Sequence, residues 1–300
     1  MVFVRVKKVK GFDYFYIVKS QWDSKRKTSQ QQTVKYLGKA SDFTIDDVPV
    51  EYRNNPKVLS VLAASAKEQK KKLLITEKTK KQVFENLKNG EVEKILKVAG
   101  KYKEQTSLAK FYDDVLRQVM YEVGTLWQHN KLEVGTEHIC SNTANKAIHK
   151  ITELYRQTNK TDGVVICTPD GELHNIACNI IESILLEKGF NVFNMSPSVP
   201  TDSVMNYIKD TSPSLILISV TLLDNIMSAS RLAKNIGMHY NIPILIGGIA
   251  INNSCERERK TIESVNSNVK LIINSPLEKL LQVVKDITNN NYMENIKFQE

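Results

Sequence analysis

A carboxylate and an imidazole stand two residues apart in Gly171-Glu172-Leu173-His174. They follow the apolar run Gly163-Val164-Val165-Ile166-Cys167 and a Thr168-Pro169-Asp170 turn. The run reads as a strand, so His174 falls in the loop at its carboxyl end, where open α/β sheets bind ligands. A carboxylate beside an imidazole fixes which ring nitrogen keeps the proton and makes the other more basic, which suits metal ligation. A loop histidine alone is most often only solvated, so this pair needs support from elsewhere in the chain.

That support comes from two further strand ends. Ser219-Val220-Thr221, with Leu222 next, closes a third apolar run, and Gly247-Gly248 closes a fourth. Ser219 is either a strand-end cap or a ligand contact. The glycine pair is either a plain turn or a place where backbone approaches a ligand without a Cβ in the way. Upstream, Trp127 is followed after nine residues by Glu137-His138. Trp127 is either bundle core or a large rigid apolar surface for a ligand. Glu137 is either a helix-terminus carboxylate or a ligand hydrogen-bonding group.

In its order of motifs, the segment Asp162–Ile287 resembles the cobalamin-binding domain shared by methionine synthase, corrinoid methyl carriers and cobalamin-dependent mutases. That family carries Asp-x-His-x-x-Gly, then Ser-x-Leu, then Gly-Gly. The resemblance implies cobalamin as cofactor, with His174 as lower axial ligand to cobalt. It also implies Glu172 as the partner of His174, and Ser219, Thr221, Gly247 and Gly248 around the nucleotide tail. The chain departs from the pattern at Glu172 for Asp, Ala177 for Gly and Thr221 for Leu. Glutamate reaches the imidazole from one methylene further, and none of the changes removes the ligand.

The Trp127…Glu137-His138 spacing is similar to the helical cap of light-sensing, adenosylcobalamin-dependent transcriptional regulators. The resemblance implies that Trp127 covers the upper face of the corrin and that Glu137 and His138 lie near the adenosyl group. In those sensors a histidine directly follows the tryptophan and captures cobalt after light removes the adenosyl group. Here that position is Gln128, with His129 one residue on. A helix turns about 100° per residue, so His129 is not expected to replace it.

These residues require an alternating strand–helix body. From Gly163 onward, strands are expected at Val164–Thr168, Asn191–Asn194, Leu215–Val220, Ile244–Ile246 and Lys270–Ile273. Helices are expected near 174–188, 201–210, 225–239, 256–265 and 276–287, which gives a doubly wound parallel sheet of Rossmann or flavodoxin type. From Thr76 to Tyr155 the apolar period is near 3.6, with breaks near Asn89-Gly90, Glu104–Thr106 and Lys131–Gly135. Thr76, Gly90 and Ser107 suit helix starts, so a four-helix bundle is expected.

The first forty residues differ in kind. They hold Arg5, Lys7, Lys8, Lys10, Lys19, Lys25, Arg26, Lys27, Lys35 and Lys39 against Asp13 and Asp23, nearly all of the chain's net charge of +9. Alternation over residues 2–9, an aromatic run Tyr14–Val18 and Gln32–Leu37 predict a small three-stranded antiparallel sheet. Its Lys35-Tyr36-Leu37-Gly38 end is similar to that of a small sheet at the start of some transposases and archaeal proteins. Arg5, Lys7, Lys8, Lys10, Lys25, Arg26, Lys27 and Lys35 are the candidate phosphate contacts. The run Lys67–Lys72 reads as a solvated helix face rather than a DNA contact.

The fold class expected is therefore multi-domain α/β. Residues 1–40 form a basic sheet, 41–75 a linker and helix opened by Pro56, 76–158 the bundle, 159–288 the cobalamin domain and 289–300 a tail. No apolar run is long enough for a membrane span, the first residues do not form a signal peptide, and four spaced cysteines do not form a disulfide framework. A cytoplasmic protein is expected. Its main functional reading is a non-enzymatic, light-responsive adenosylcobalamin sensor that controls transcription through DNA binding or oligomerisation, as a homo-oligomer. The alternative is a corrinoid carrier for a methyltransferase system, with methylcobalamin. Mutase chemistry is disfavoured, since 300 residues leave no room for a substrate barrel beside these modules.

Overall fold

A computed structural model of the chain describes residues 2–9, 12–24, 26–39, 45–157 and 163–288. Lys10, Lys25 and the 289–300 tail lie outside the described residues. The chain divides into two compact units, Met1–Lys78 and Thr79–Glu300.

The first unit holds an antiparallel sheet of β1 (Val2–Val9), β2 (Phe12–Asp23) and β3 (Thr28–Lys39), in that order. Alternation puts Phe15 and Ile17 on one face, where they pack with Leu37, Val48 and Val58. Strands β2 and β3 run longer than expected. The polar stretch Ser20–Ser29, read as a loop, instead pairs Ser20 with Gln31 through Asp23 with Thr28. Backbone pairing needs no apolar side chain, and polar residues suit a strand whose sides both meet water.

Helix α1 (Pro56–Lys88) begins as expected, with proline in its first turn. The Asn55 side chain accepts the Lys57 N–H at 3.0 Å. Thr76 does not start a new helix, because α1 runs through it unbroken. A Thr-Glu start signal is weak against 33 residues with no glycine and no proline beyond Pro56. The boundary between the two units falls inside this helix.

In the second unit the end of α1 joins α2 (Val92–Gln105), α3 (Leu108–Phe111), α4 (Arg117–Gln128) and α5 (Val134–Tyr155). Ser107 caps α3 by accepting the Lys110 N–H at 3.1 Å. A π-helical turn, Tyr112–Leu116, joins α3 to α4. Periodicity does not show it, since one widened turn shifts the apolar stripe by a single residue.

The parallel sheet follows the order β5 (Asn191–Asn194), β4 (Gly163–Cys167), β6 (Leu215–Ser219), β7 (Ile244–Gly247), β8 (Val269–Ile272). This is the flavodoxin-type order, with its switch point between β4 and β6. Val164, Ile166, Leu215, Leu217 and Leu245 pack under the bundle, α6 (Ile176–Glu187) and α11 (Leu277–Thr288). Val165, Cys167, Ile216, Ile218, Ile244 and Ile246 pack on the other face under α7 (Thr201–Thr211), α8 (Ile226–His239), α9 (Ile249–Asn253) and α10 (Glu256–Glu263). Burial on both faces explains why these strands read as unbroken apolar runs. The short α9 is an element that the pattern does not reveal. Among the described residues no helix is long and apolar enough to cross a membrane.

Candidate functional site

His174 lies between the end of β4 and the start of α6, as its position in the sequence requires. Its ring Nδ1 is 2.6 Å from Glu172 Oε1, which also accepts the His174 backbone N–H at 3.1 Å. The imidazole is 54% exposed while Glu172 is fully buried. A carboxylate at Nδ1 selects the tautomer with the proton there, leaving the Nε2 lone pair to face outward from the loop.

The other oxygen of Glu172 is held just as closely. Oε2 accepts the backbone N–H groups of Thr221 and Leu222, both at 2.9 Å, and the Asn225 amide at 3.0 Å. One buried carboxylate thus ties the loop after β4 to the loop after β6, across the switch point of the sheet. Burial pushes its acidity down, but the bonds from His174, Leu222, Asn225 and Thr221 outweigh burial and hold its pKa at about 2. The bond to Glu172 raises the His174 pKa above 6.5 against an opposing burial effect, and the charges of Glu172 and Glu137 add to the rise.

The neighbouring turn is knitted by Thr168, Gly171 and Ser198. Thr168 Oγ1 donates to Glu172 O at 3.1 Å and accepts the Ser198 N–H at 2.8 Å. Gly171, at φ +85°, donates its N–H to Ser198 Oγ at 3.0 Å. Ser219 pairs with Gly247 across β6 and β7. Its hydroxyl is buried beside Cys178, whose thiol burial drives to about 12 despite bonds from Ser196 and Ser219. Gly248 takes φ +118°, and a Cβ there would meet Val220 O at 2.1 Å. Gly248 is therefore required by close backbone approach, whereas a Cβ at Gly247 would make only ordinary contact with Ile272.

Thr221, expected beside the nucleotide tail, meets Glu172 through its backbone N–H. Sequence reasoning also missed Asn225, and the amide chain that leaves the site. Asn145 donates to Asn175 at 3.5 Å, Asn179 to Asn145 at 3.0 Å and Asn194 to Asn179 at 3.0 Å. This chain joins α5, the His174 loop, α6 and β5. Four asparagines far apart in sequence carry no joint signal that one sequence can show.

At the bundle's end Trp127 is 44% exposed on the last turn of α4, not packed in the core. Glu137 lies in the first turn of α5, accepting from Ser141 and standing 2.7 Å from His138 Nδ1. His138 is 70% exposed. Glu137 is near enough to His174 for its charge to favour the protonated imidazole. His129 bonds the Thr125 carbonyl of its own helix at 2.7 Å, and His149 and His239 likewise bond within their helices. Leu173, Leu222, Leu223 and Met227 are exposed around the His174 loop. An outward imidazole lone pair, a buried relay and an apolar rim form a donor set that fits a large, mostly apolar metal macrocycle.

Residues 79–152 match the model of one B12 binding domain and residues 163–263 match the model of another. The chain's second unit belongs to the cobalamin-binding family. The two matched stretches are the bundle and the parallel sheet domain. The chain is 23% identical over 160 residues to "Dimethylamine corrinoid protein 1" of Methanosarcina acetivorans, covering 51% of this chain and 75% of that one. It is 26% identical over 143 residues to "Methanol--corrinoid protein" of Methanosarcina barkeri, covering 47% and 55%. Among solved structures, the monomethylamine corrinoid protein of Methanosarcina barkeri superposes with a TM-score of 0.55 at 12% identity, over 69% of this chain and 96% of that one. That likeness shows a shared fold. The relatives are corrinoid proteins, in line with a chain that is not itself an enzyme.

Proposed function

We propose that the chain is a corrinoid carrier, holding cobalamin between the bundle and the carboxyl edge of the sheet and presenting it to a methyltransferase. The observation that carries this reading is the Glu172–His174 pair at the switch point, whose Nε2 would hold the cobalt. Relatives named for methanol and dimethylamine favour a carrier over the light-responsive regulator. Bound cobalamin supplies a cobalt centre able to accept and release a methyl group.

The protein's own part is to tune and shelter that centre. Glu172 holds the Nδ1 proton of His174 and makes Nε2 a stronger donor. Ser219, Gly247 and Gly248 shape the wall for the nucleotide tail. Trp127, Glu137 and His138, at the bundle's end, would cover the bound cofactor. A methyl carrier gains from an open upper face, and exposed Trp127 and His138 suit a cap that yields to a partner enzyme.

The test is retention. Purified protein is mixed in the dark with methylcobalamin or adenosylcobalamin, desalted, and its absorbance and elution volume are recorded before and after green light. A carrier retains methylcobalamin with a histidine-ligated spectrum and keeps its elution volume after illumination. A light-driven change of assembly confined to the adenosyl form would overturn the carrier in favour of the sensor. Loss of both cofactors on desalting would overturn cobalamin binding.

A further inference from the structure

The cobalamin unit leaves the N-terminal sheet without a role, and its outward face has a chemistry of its own. Register places Arg5, Tyr16 and Tyr36 opposite one another across the three strands. Lys7 lies opposite Tyr14 on the same face. The Tyr36 ring stands 5.0 Å from Tyr16 and 6.3 Å from Tyr14, the latter pair tilted by only 25°. The opposite face is closed by Phe15, Ile17 and Leu37.

Beyond β1, strands β2 and β3 continue as a two-stranded arm, since Val2 already pairs with Lys19. The arm carries Trp22, 68% exposed, and Arg26 and Lys27 at its turn. Alternation along β2 keeps Trp22 on the face of Tyr14 and Tyr16. The face thus carries a cluster of three tyrosine rings at one end and Trp22 at the other, about 26 Å from Tyr14 along β2, with Val18 and Ser20 between and cations at the borders.

We infer that this face binds single-stranded nucleic acid, with bases stacked on Tyr14, Tyr16, Tyr36 and Trp22 and phosphates met by Arg5, Lys7, Arg26 and Lys27. Rings on a sheet offer base faces a stacking partner, and only unpaired bases have a face to give. In a duplex those faces are already occupied, and a purely phosphate-binding surface needs no aromatic rings. The surplus of positive charge in this unit supplies the complementarity.

The test uses the full chain and fluorescein-labelled strands of about twelve nucleotides, as RNA, as DNA and as the DNA duplex, read by anisotropy across a salt series. Either single strand should bind at least about tenfold more tightly than the duplex, the loss of one stacked base being of that size. Tyr36→Ala should weaken binding about tenfold while Tyr36→Phe keeps it. Trp22→Ala, on the exposed arm, should weaken it without disturbing the sheet. Replacing Arg5 and Lys7 together by Gln should lower the salt slope by about 1.4. Duplex binding as tight as the single strands, unchanged affinity in Tyr36→Ala and Trp22→Ala, or equal competition by anionic lipid vesicles would overturn the inference.

Discussion

Glu172 and His174 are joined at 2.6 Å by a carboxylate whose second oxygen is spent on the loop after β6. The relay is therefore fixed at both ends before any cofactor arrives. The His174 ring cannot swing with its Glu172 partner without disturbing Thr221, Leu222 and Asn225. Most of the orientation that a metal would otherwise impose is already supplied by hydrogen bonds to one buried side chain.

Replacing Glu172 by Gln keeps an acceptor but removes the charge. The bond and charge from Glu172 are what raise the His174 pKa above 6.5. In Glu172→Gln the His174 ring should titrate below its wild-type midpoint in a proton NMR titration of the free protein. An unmoved midpoint would show that Glu172 is not the partner that sets the ring's basicity.

The same pair gives two opposite pH trends. His174 has a raised folded pKa, so its imidazolium–Glu172 contribution to stability is complete below pH 6.5 and is lost as pH rises through the folded value. Ligation runs the other way, since Nε2 offers a lone pair only once its proton has gone. The histidine-ligated absorbance should grow with rising pH, and His174→Ala should abolish it while leaving some cobalamin bound. A spectrum in His174→Ala identical to wild type at every pH would remove His174 as the axial ligand. Glu172 is depressed to about 2, so its contribution is present above pH 4.5 and fades only as pH falls towards 2.

How much of this was legible depended on the range of the interaction. The run Asn191–Asn194 and the positions of His174, Ser219 and Gly247-Gly248 at strand ends are local signals, and they hold. The Glu172–Asn225 bond spans fifty-three residues and leaves no trace in either segment. A motif names residues by side chain, so the backbone N–H that Thr221 gives to Glu172 was not legible in it. Helix α1 continues past Thr76 because capping signals are only weak biases inside a long run of helix formers. The arm of β2 and β3 was hidden by its polarity. The family comparisons moved the function from light sensing toward a carrier, a distinction that the shared cobalamin motifs do not encode.

Gly248 is a second point where backbone alone decides. Its φ of +118° and the 2.1 Å approach of Val220 O leave no room for a methyl group. Gly248→Ala should cost about 2–4 kcal/mol and loosen the turn that lines the tail site. Urea unfolding of the free protein measures the first effect, and cobalamin retention the second. A midpoint within error of wild type would mean that the turn relaxes freely, against the close packing of Gly248 on Val220.

Asp113 tests how the bundle is fastened to the sheet domain. It sits buried in the π-helical turn, accepts the Leu277 N–H at 2.8 Å and pairs with Arg117 at 3.0 Å. The acceptor caps the first residue of α11 and so ties the turn between α3 and α4 to the last helix of the sheet domain. Burial raises its pKa, with the Leu277 bond and the Arg117 and Lys110 charges opposing the rise. Asp113→Ala removes the cap and leaves Arg117 without its buried carboxylate, which should cost about 2–4 kcal/mol. Hydrogen exchange should rise first at the start of α11, since the Leu277 N–H loses its side-chain acceptor, while the Glu172–His174 relay on the far loops keeps its His174 titration. Uniform loosening of the whole second unit, with no excess at Leu277, would show that Asp113 serves the bundle core rather than the joint.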